Sequence, residues 1–440
     1  MDTFHLIIDD EMIRNIFQTN LKESVDLFSV KLVLYVFLLG LLPSYIIYKI
    51  ELKVYKLKKT IVQKFMVLLL SFIFIILILT SFSNYYSSFF REHKPLRYYT
   101  NPTYWIYSIG KYINKTFYSS PIILKEIGND AKIIRTSEKK NIVIMVVGEA
   151  LRANRLSLNG YKKETNPLLK KEHIISLENF YSCGTSTAHS VPCMFSIYDR
   201  KDYSYKKGIS TENVLDVLNK TKEVNILWRD NNSSSKGVTD RIGSENFKNP
   251  KNNTIYDIEG RDEGMLIGLD GYIENSKEKN ILIILHQMGN HGPAYYKRYP
   301  SRFEKFTPVC KSNQLEDCTL TEISNAYDNA TLYTDYFLSK VINFLKPYSK
   351  EFNTSMIYMA DHGESLGENK IFLHGIPYFM APNNQKHIPS IFWFDKNNKY
   401  RNINLDTKKR YSHDNLFSTL LGLFNVKTNV YEKSKDILNK

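Results

Sequence analysis

Two uncharged apolar runs near the amino terminus constrain this chain more than anything else in it. Leu32–Tyr48 reads LVLYVFLLGLLPSYIIY, and residues 65–90 open with FMVLLLSFIFIILILTSF. A hydrocarbon core of roughly 30 Å asks for about 20 apolar residues in a helix. The sequence therefore predicts two transmembrane helices, over about residues 32–48 and 65–85. Pro43 lies inside the first and predicts a kink. Buried helices of soluble proteins normally keep a polar face, which neither run has. Between the runs, KIELKVYKLKKTIVQK (residues 49–64) is rich in lysine, and the positive-inside rule places it in the cytoplasm. Everything after residue 90 is then expected outside the cytoplasm. Residues 1–26 carry acids and no long apolar run, so they do not read as a cleavable signal. An external amino terminus without a signal points to upstream membrane segments that this sequence lacks.

The charge balance agrees with a membrane partner. The chain has 59 Lys+Arg against 45 Asp+Glu, a net charge of +14. Such an excess suits nucleic acid or an anionic membrane surface. The two spans favour the membrane and exclude nucleic acid. All four cysteines, Cys183, Cys193, Cys310 and Cys318, fall in the exported part as two local pairs. An oxidising compartment favours two disulfides. A four-cysteine zinc site is the rival, but spacings of ten and eight suit it poorly.

Organisation changes along the chain. Residues 1–90 read as a membrane anchor. Residues 91–138 mix Tyr, Trp, Phe, Lys and Arg, as interfacial segments do. From residue 139 to 440, short apolar runs alternate with longer polar or helical stretches. The runs are NIVIMVVGEA (141–150), VNILWRD (224–230), NILIILHQMGNHG (280–292), TSMIYMADHGES (354–365) and PSIFWF (389–394). Continuous apolar runs suit strands buried on both faces, which predicts an α/β domain around a mostly parallel sheet. Several runs end in Glu149, Arg229-Asp230, His286 to His291 and Asp361-His362. In open α/β sheets ligands bind outside the carboxyl ends of the strands, so these residues are expected to converge.

Glu149, Asp361 and His362 are ligand types suited to a divalent metal such as zinc. One hydroxyl would complete four-coordination, and a metal lowers the pKa of a hydroxyl it binds. The stretch SCGTSTAHSVPCMFS (182–196) offers Thr185, Ser186 and Thr187 between two cysteines. A helix following them would aim backbone N–H groups at an anion. The residues alone do not choose among the three hydroxyls. Nor do they exclude plainer roles: a structural Thr in a disulfide loop, a helix-terminal Glu149, a solvated Lys236.

SCGTSTAHSVPCMFS, VVGEALRANRLSLNGYKKETNPLL, LWRDNNSSSKGV, LHQMGNHGPAYYKRYP and ADHGESLGEN with LHG after it occur here in one order. Together they resemble the phosphoethanolamine transferases that modify lipid A, most of all the mobilised colistin-resistance enzymes. The resemblance runs from about residue 5 to about residue 430. It implies an alkaline phosphatase/sulfatase-like sandwich on an α-helical membrane anchor, in the bacterial inner membrane as a multi-pass protein with its catalytic domain in the periplasm. It implies Thr187 as the nucleophile and Glu149, Thr187, Asp361 and His362 as zinc ligands. Lys236, Asn232, His291 and His374 match residues that handle the phosphate or additional zinc. Asn84, Ser88 and Glu92, spaced by four, match lipid-substrate residues near the membrane. The implied reaction takes phosphoethanolamine from phosphatidylethanolamine, through a Thr187 adduct, to a phosphate of lipid A, and lowers the binding of polymyxin and colistin. A monomer is expected.

The chain also departs from the family. Close relatives carry a further cysteine pair ahead of a segment that here reads EGRDEGML, with Gly260 and no nearby cysteine. Full-length members have more spans than the two seen here. Two other readings remain at this point: a related sulfatase-fold hydrolase or polymerase with another acceptor, and an inactive truncated membrane protein. The Cys-bracketed threonine and the WRDNNSSSKG segment argue against the former. His189 matches a variable position and is expected as a pocket wall or surface group. His286 is expected to be structural, and His413-Asp414 carries no assigned chemistry.

Overall fold

A computed structural model describes residues 6–19, 24–25, 27–51, 57–83, 85–86, 89, 93–118, 123–134, 137–276 and 279–439. The chain divides into two units, residues 28–107 and residues 1–27 with 108–440. The expected boundaries at 90 and 138 therefore do not coincide with this division. The physical reason lies in α1 (Asp10–Gln18), whose Ile13 and Arg14 are buried, as is Ile7 just before it. Asp9 caps α1 by accepting the Met12 N–H at 2.8 Å. Asp10 binds Lys111 and Lys115 at 2.7 and 2.6 Å. The first residues thus belong to the larger unit rather than to the anchor.

The smaller unit holds two helices long and apolar enough to cross a membrane, α2 (Val30–Lys49) and α3 (Leu57–Ser81). Their large apolar side chains are exposed along both helices. In α2 the residues before Pro43 form a π-type turn, Val36–Leu41, rather than a sharp break. Proline cannot donate to the carbonyl four residues back, and widening the preceding turn accommodates its ring. α4 (Thr103–Phe117) follows, with the aromatic and cationic residues expected of that segment.

The larger unit is built on one eight-stranded sheet. Its strands, numbered along the chain, are β1 (Asn141–Gly148), β2 (Ile174–Tyr181), β3 (Val224–Asp230), β4 (Glu245–Asn246), β5 (Asn280–His286), β6 (Asn353–Ala360), β7 (His387–Phe394) and β8 (Tyr411–Ser412). Their order across the sheet is β8-β2-β7-β6-β1-β5-β3-β4. All pairs are parallel except those of β7, which runs antiparallel to both β2 and β6. β1, β5 and β6 are buried almost throughout, as their unbroken apolar runs require. Helices cover the faces. The longest, α6 (Leu320–Leu345), starts at a capping box between Thr319 and Glu322.

Register decides what the sheet presents at its carboxyl edge. Gly148 pairs with Ala360, so Glu149 and Asp361 leave adjacent strands side by side. Val147 pairs with His286, and His286 with Asp230. Cys183 is bonded to Cys193 and Cys310 to Cys318. At Gly260 a β-carbon would sit 2.9 Å from Asn253 Nδ2 and 3.0 Å from Asn231 Oδ1. Asn231 Nδ2 donates to Gly260 O at 2.9 Å and to Asp262 at 2.8 Å. Side-chain amides thus hold this segment, which has no cysteine.

Candidate active site

β2 ends at Tyr181 and the chain turns through the Cys183–Cys193 loop into the short helix α5 (Thr187–Met194). Thr187 is its first residue; His189 N donates to Ser186 O at 3.1 Å, and the N–H groups of Thr187 and Ala188 have no intrahelical acceptor. The loop is fixed from several sides. Thr185 Oγ1 donates to Ile376 O at 2.7 Å, and Gly375 N donates to Thr185 O at 2.8 Å. This occupies Thr185. Ser190 Oγ donates to Asp361 O and accepts from Gly184 N.

His413 joins the same loop to β6. Its Nδ1 accepts the Cys183 N–H at 3.0 Å, which leaves Nε2–H to donate to Ala360 O at 3.0 Å. Complete burial pushes the imidazole down to about 3, so it stays neutral. The SHDN segment, left without chemistry from sequence, thus positions the nucleophile loop.

Thr187 Oγ1 lies 3.1 Å from Glu149 Oε2 and 3.3 Å from His362 Nε2. His362 Nε2 lies 3.3 Å from both Glu149 Oε1 and Asp361 Oδ2. Glu149, Asp361 and His362 are fully buried. Ligands at the usual zinc distances of about 2.0–2.1 Å stand ~3.3 Å apart at tetrahedral angles, which these separations match. Two further observations fit a cation. Asp361 Oδ2 is buried with no hydrogen-bond partner among the described residues. His362 Nδ1 faces Gly363 O at 2.9 Å, so that nitrogen keeps its proton and Nε2 is the one left to a cation once its own proton is displaced.

The electrostatics agree. Burial, then the charge of Glu149, pushes Asp361 up to about 6. Burial disfavours the His362 imidazolium, but Asp361 and Glu149 outweigh it and raise the group to about 10. Burial likewise opposes ionisation of Glu149, yet His362 holds it well below the ordinary carboxylate range. Two buried carboxylates therefore share one proton-bearing imidazole, a set that a divalent cation would relieve.

The backbone around Glu149 is held tightly. Ala150 has φ of 55°, a left-handed conformation costly for a residue with a β-carbon. Tyr327 of α6 secures it, donating to Ala150 O at 2.6 Å and accepting from Arg152 N at 3.0 Å. Gly289, at φ of 51°, lets its loop approach: a β-carbon there would lie 2.9 Å from Glu149 O.

Around this centre stand other residues expected from sequence. Asn232 Nδ2 donates to Glu149 Oε2 and to Gln287 O, both at 2.8 Å. Asp230 Oδ1 accepts Asn232 N and Ser234 N and so shapes that loop. His286 Nδ1 meets Asp230 Oδ2 at 2.8 Å. The His374 ring is 4.2 Å from that of His362, with Glu364 beside its Nδ1 at 3.3 Å. The His291 ring is 6.0 Å from that of His374. Lys236 closes the 230–238 loop with φ of 53°, but its ammonium donates to Gln18 O at 3.4 Å rather than to Thr187. Asn84, Ser88 and Glu92 lie outside the described residues.

Helix α1 was not expected here. Glu11 Oε1 lies 3.0 Å from His189 Nδ1, and the Met12 methyl would be 2.6 Å from a β-carbon on Gly375. With Gln18 against Lys236, one helix touches the loops bearing Thr187, His374 and Lys236. His189 also packs edge-on to Tyr203 at 5.2 Å, and its cysteine neighbours are consumed by their disulfide. It walls the site and is not among the residues clustered at Thr187. The only sequence signal for α1 was a capped amphipathic segment, which does not say what it packs against.

Over residues 141–426 the chain matches the sulfatase family model, and over residues 1–117 the model described as phosphoethanolamine transferase EptA/EptB. It is 41% identical over 437 residues to phosphatidylethanolamine transferase Mcr-1 of Escherichia coli, covering 97% of this chain and 80% of that protein. It is 39% identical over 451 residues to phosphoethanolamine transferase EptA of Escherichia coli K12, covering 99% of this chain and 81% of that protein. Among solved structures, the integral membrane protein lipooligosaccharide phosphoethanolamine transferase A of Neisseria meningitidis superposes with a TM-score of 0.92. That match has 34% identity and covers 100% of this chain and 83% of the other.

Proposed function

The chain belongs to the phosphoethanolamine transferase family, and from that membership we propose that it moves phosphoethanolamine from phosphatidylethanolamine to a phosphate of lipid A, with Thr187 as nucleophile. The observation that carries the assignment of Thr187 is its hydroxyl, 3.1 Å from Glu149 and 3.3 Å from His362 at the start of a helix. In the first step a bond forms between Thr187 Oγ and phosphorus while the bond to diacylglycerol oxygen breaks. The hydroxyl proton ends on that alcohol. In the second step a lipid A phosphate oxygen attacks the same phosphorus, the bond to Thr187 Oγ breaks, and the proton of the attacking phosphate hydroxyl ends on Thr187 Oγ.

The chain's own groups supply most of what this needs. The N–H groups of Thr187 and Ala188, at the start of α5, face negative charge on the phosphoryl oxygens. His374 stands beside His362 and His291 beside His374, and these imidazoles, with Lys236 of the neighbouring loop, are assigned to the phosphoryl oxygens. Glu149, Thr187, Asp361 and His362 would hold zinc, which when bound lowers the pKa of the threonine hydroxyl and offsets phosphoryl charge. Asn232 fixes Glu149, as outer partners of metal ligands do.

The site belongs in the periplasm, and α2 and α3 span the inner membrane. Capping lipid phosphates with an amine lowers surface negative charge and hence the binding of polymyxin and colistin. Mass spectrometry of lipid A from cells expressing this chain tests the activity. A phosphoethanolamine increment that disappears with Thr187→Ala is expected. Unmodified lipid A despite good expression would overturn it.

A further inference from the structure

The flank of the same sheet edge carries cations that the transfer chemistry does not use. β2 ends at Tyr181, β7 begins opposite it at His387, and β8 starts directly after Arg410. The Arg200 guanidinium stacks 4.2 Å from the centroid of the Tyr378 ring, and the Lys386 ammonium approaches the same ring at 5.3 Å. Arg410 stacks 3.9 Å over Tyr181. Among the described residues, no carboxylate makes an ion pair with Arg200, Lys386 or Arg410. The nearby Asp414 accepts the backbone N–H of Arg200, not its guanidinium. Burial, and after it the charges of Arg200 and Arg410, holds the Lys386 ammonium below its ordinary range. Three like charges are thus kept together on aromatic faces, with Asp414 near enough to Arg200 to interact with its charge but not paired to its guanidinium.

The patch is joined to the reacting loop. Ser182 N donates to Lys386 O at 2.9 Å, one residue before Cys183. Tyr378 follows His374 by four residues in the segment that binds Thr185. Neighbouring strands lie about 4.8 Å apart, so β2 stands roughly 10–15 Å along the edge from β6 and β1. Phe379, next along the chain from Tyr378, is 64% exposed. Exposed aromatic and cationic side chains together suit a lipid head rather than a small soluble anion.

We propose that Arg200, Lys386 and Arg410 dock a second phosphate of the acceptor glycolipid, the one that is not being modified. The inference rests on the transferase activity proposed above. The donor does not fit this patch: its phosphate is already neutralised by its own ammonium, whereas three cations with a single carboxylate, Asp414, nearby select a polyanion. Two sugar rings separate the phosphates of a bisphosphorylated disaccharide lipid, a span of the order of the roughly 10–15 Å between β2 and the strands that end at Asp361 and Glu149.

The test uses the purified full chain and its R200Q/K386Q/R410Q variant. Formation of the Thr187 adduct from phosphatidylethanolamine without acceptor is expected at the wild-type rate. KM for bisphosphorylated lipid A is expected to rise about tenfold or more with kcat little changed. A monophosphorylated lipid A should show little change, and R200K/K386R/R410K should keep the wild-type KM. Should the triple variant lose thermal stability, R200Q/R410Q alters only exposed side chains and carries the same expectation. Unchanged KM, or an equal loss with both acceptors, would overturn the proposal. So would weaker binding to phosphatidylglycerol vesicles with unchanged acceptor kinetics in detergent, which would make the patch a membrane contact. A wild-type protein that forms no adduct would instead strike the transferase activity itself.

Discussion

His362 Nε2 stands 3.3 Å from both Glu149 Oε1 and Asp361 Oδ2, at the meeting point of β1 and β6. Without a metal the imidazole titrates near 10 and Asp361 near 6, so a binding cation must displace protons. Zinc affinity is therefore expected to rise with pH, by about 10–100-fold between pH 6 and pH 8. Competition titration with a chelator at the two pH values checks this. Equal or weaker binding at pH 8 would remove His362 from the ligand set.

Asn232 touches Glu149 but no phosphorus-reacting group. Asn232→Ala is expected to lower metal affinity or transfer by about 10–100-fold, the usual effect of losing an outer partner of a metal ligand. The fold should survive, because Asp230 still caps the loop through Ser234 N. Zinc content and lipid A transfer, measured on the same preparation, separate this from unfolding.

His413 bridges two buried backbone groups, Cys183 N–H and Ala360 O. His413→Ala leaves both unsatisfied, at about 1–3 kcal/mol each. A lower melting temperature and slower adduct formation are expected together, because the same bridge carries stability and loop position. A variant with full activity and unchanged melting would contradict the positioning role.

Tyr327→Phe removes the hydroxyl that holds the left-handed Ala150 beside Glu149. A loss of about 1–3 kcal/mol is expected from the freed carbonyl and N–H. Metal affinity should fall with it, since Ala150 N also donates to Asp361 Oδ1 at 3.1 Å. Thermal melting with and without zinc measures both effects.

Much of the fold was legible because its determinants are local. The runs at 141–148, 224–230, 280–286 and 354–360 are apolar on both faces and became strands of the sheet. Their polar ends converged because parallel pairing puts every carboxyl end on one edge. β2 was missed. Its half-buried pattern, with Glu178 exposed and Asn179 between, lacks the unbroken apolar run used to find the others. α2 and α3 were foreseen by composition, although α3 begins at Leu57, inside the lysine-rich stretch. Long cationic stems extend such helices without leaving water.

The site was legible where motif and register coincide, and not where contacts are non-local. Glu149 and Asp361-His362 sit at predictable strand ends. Nothing in the residues alone preferred Thr187 over Thr185. In the structure Thr185 is spent on Ile376 O, and Thr187 is the hydroxyl at Glu149 and His362. The roles of His413 and α1 depend on contacts spanning more than 170 residues, for which a single sequence carries no signal.

The central claim is that Thr187 carries the phosphoethanolamine between donor and acceptor. Peptide mass spectrometry after incubating the purified chain with phosphatidylethanolamine, without acceptor, tests it most directly. The account predicts a phosphoethanolamine adduct on Thr187 that is lost when lipid A is added. Lipid A modification with no adduct, or with the adduct on Thr185 or Ser186, would contradict it.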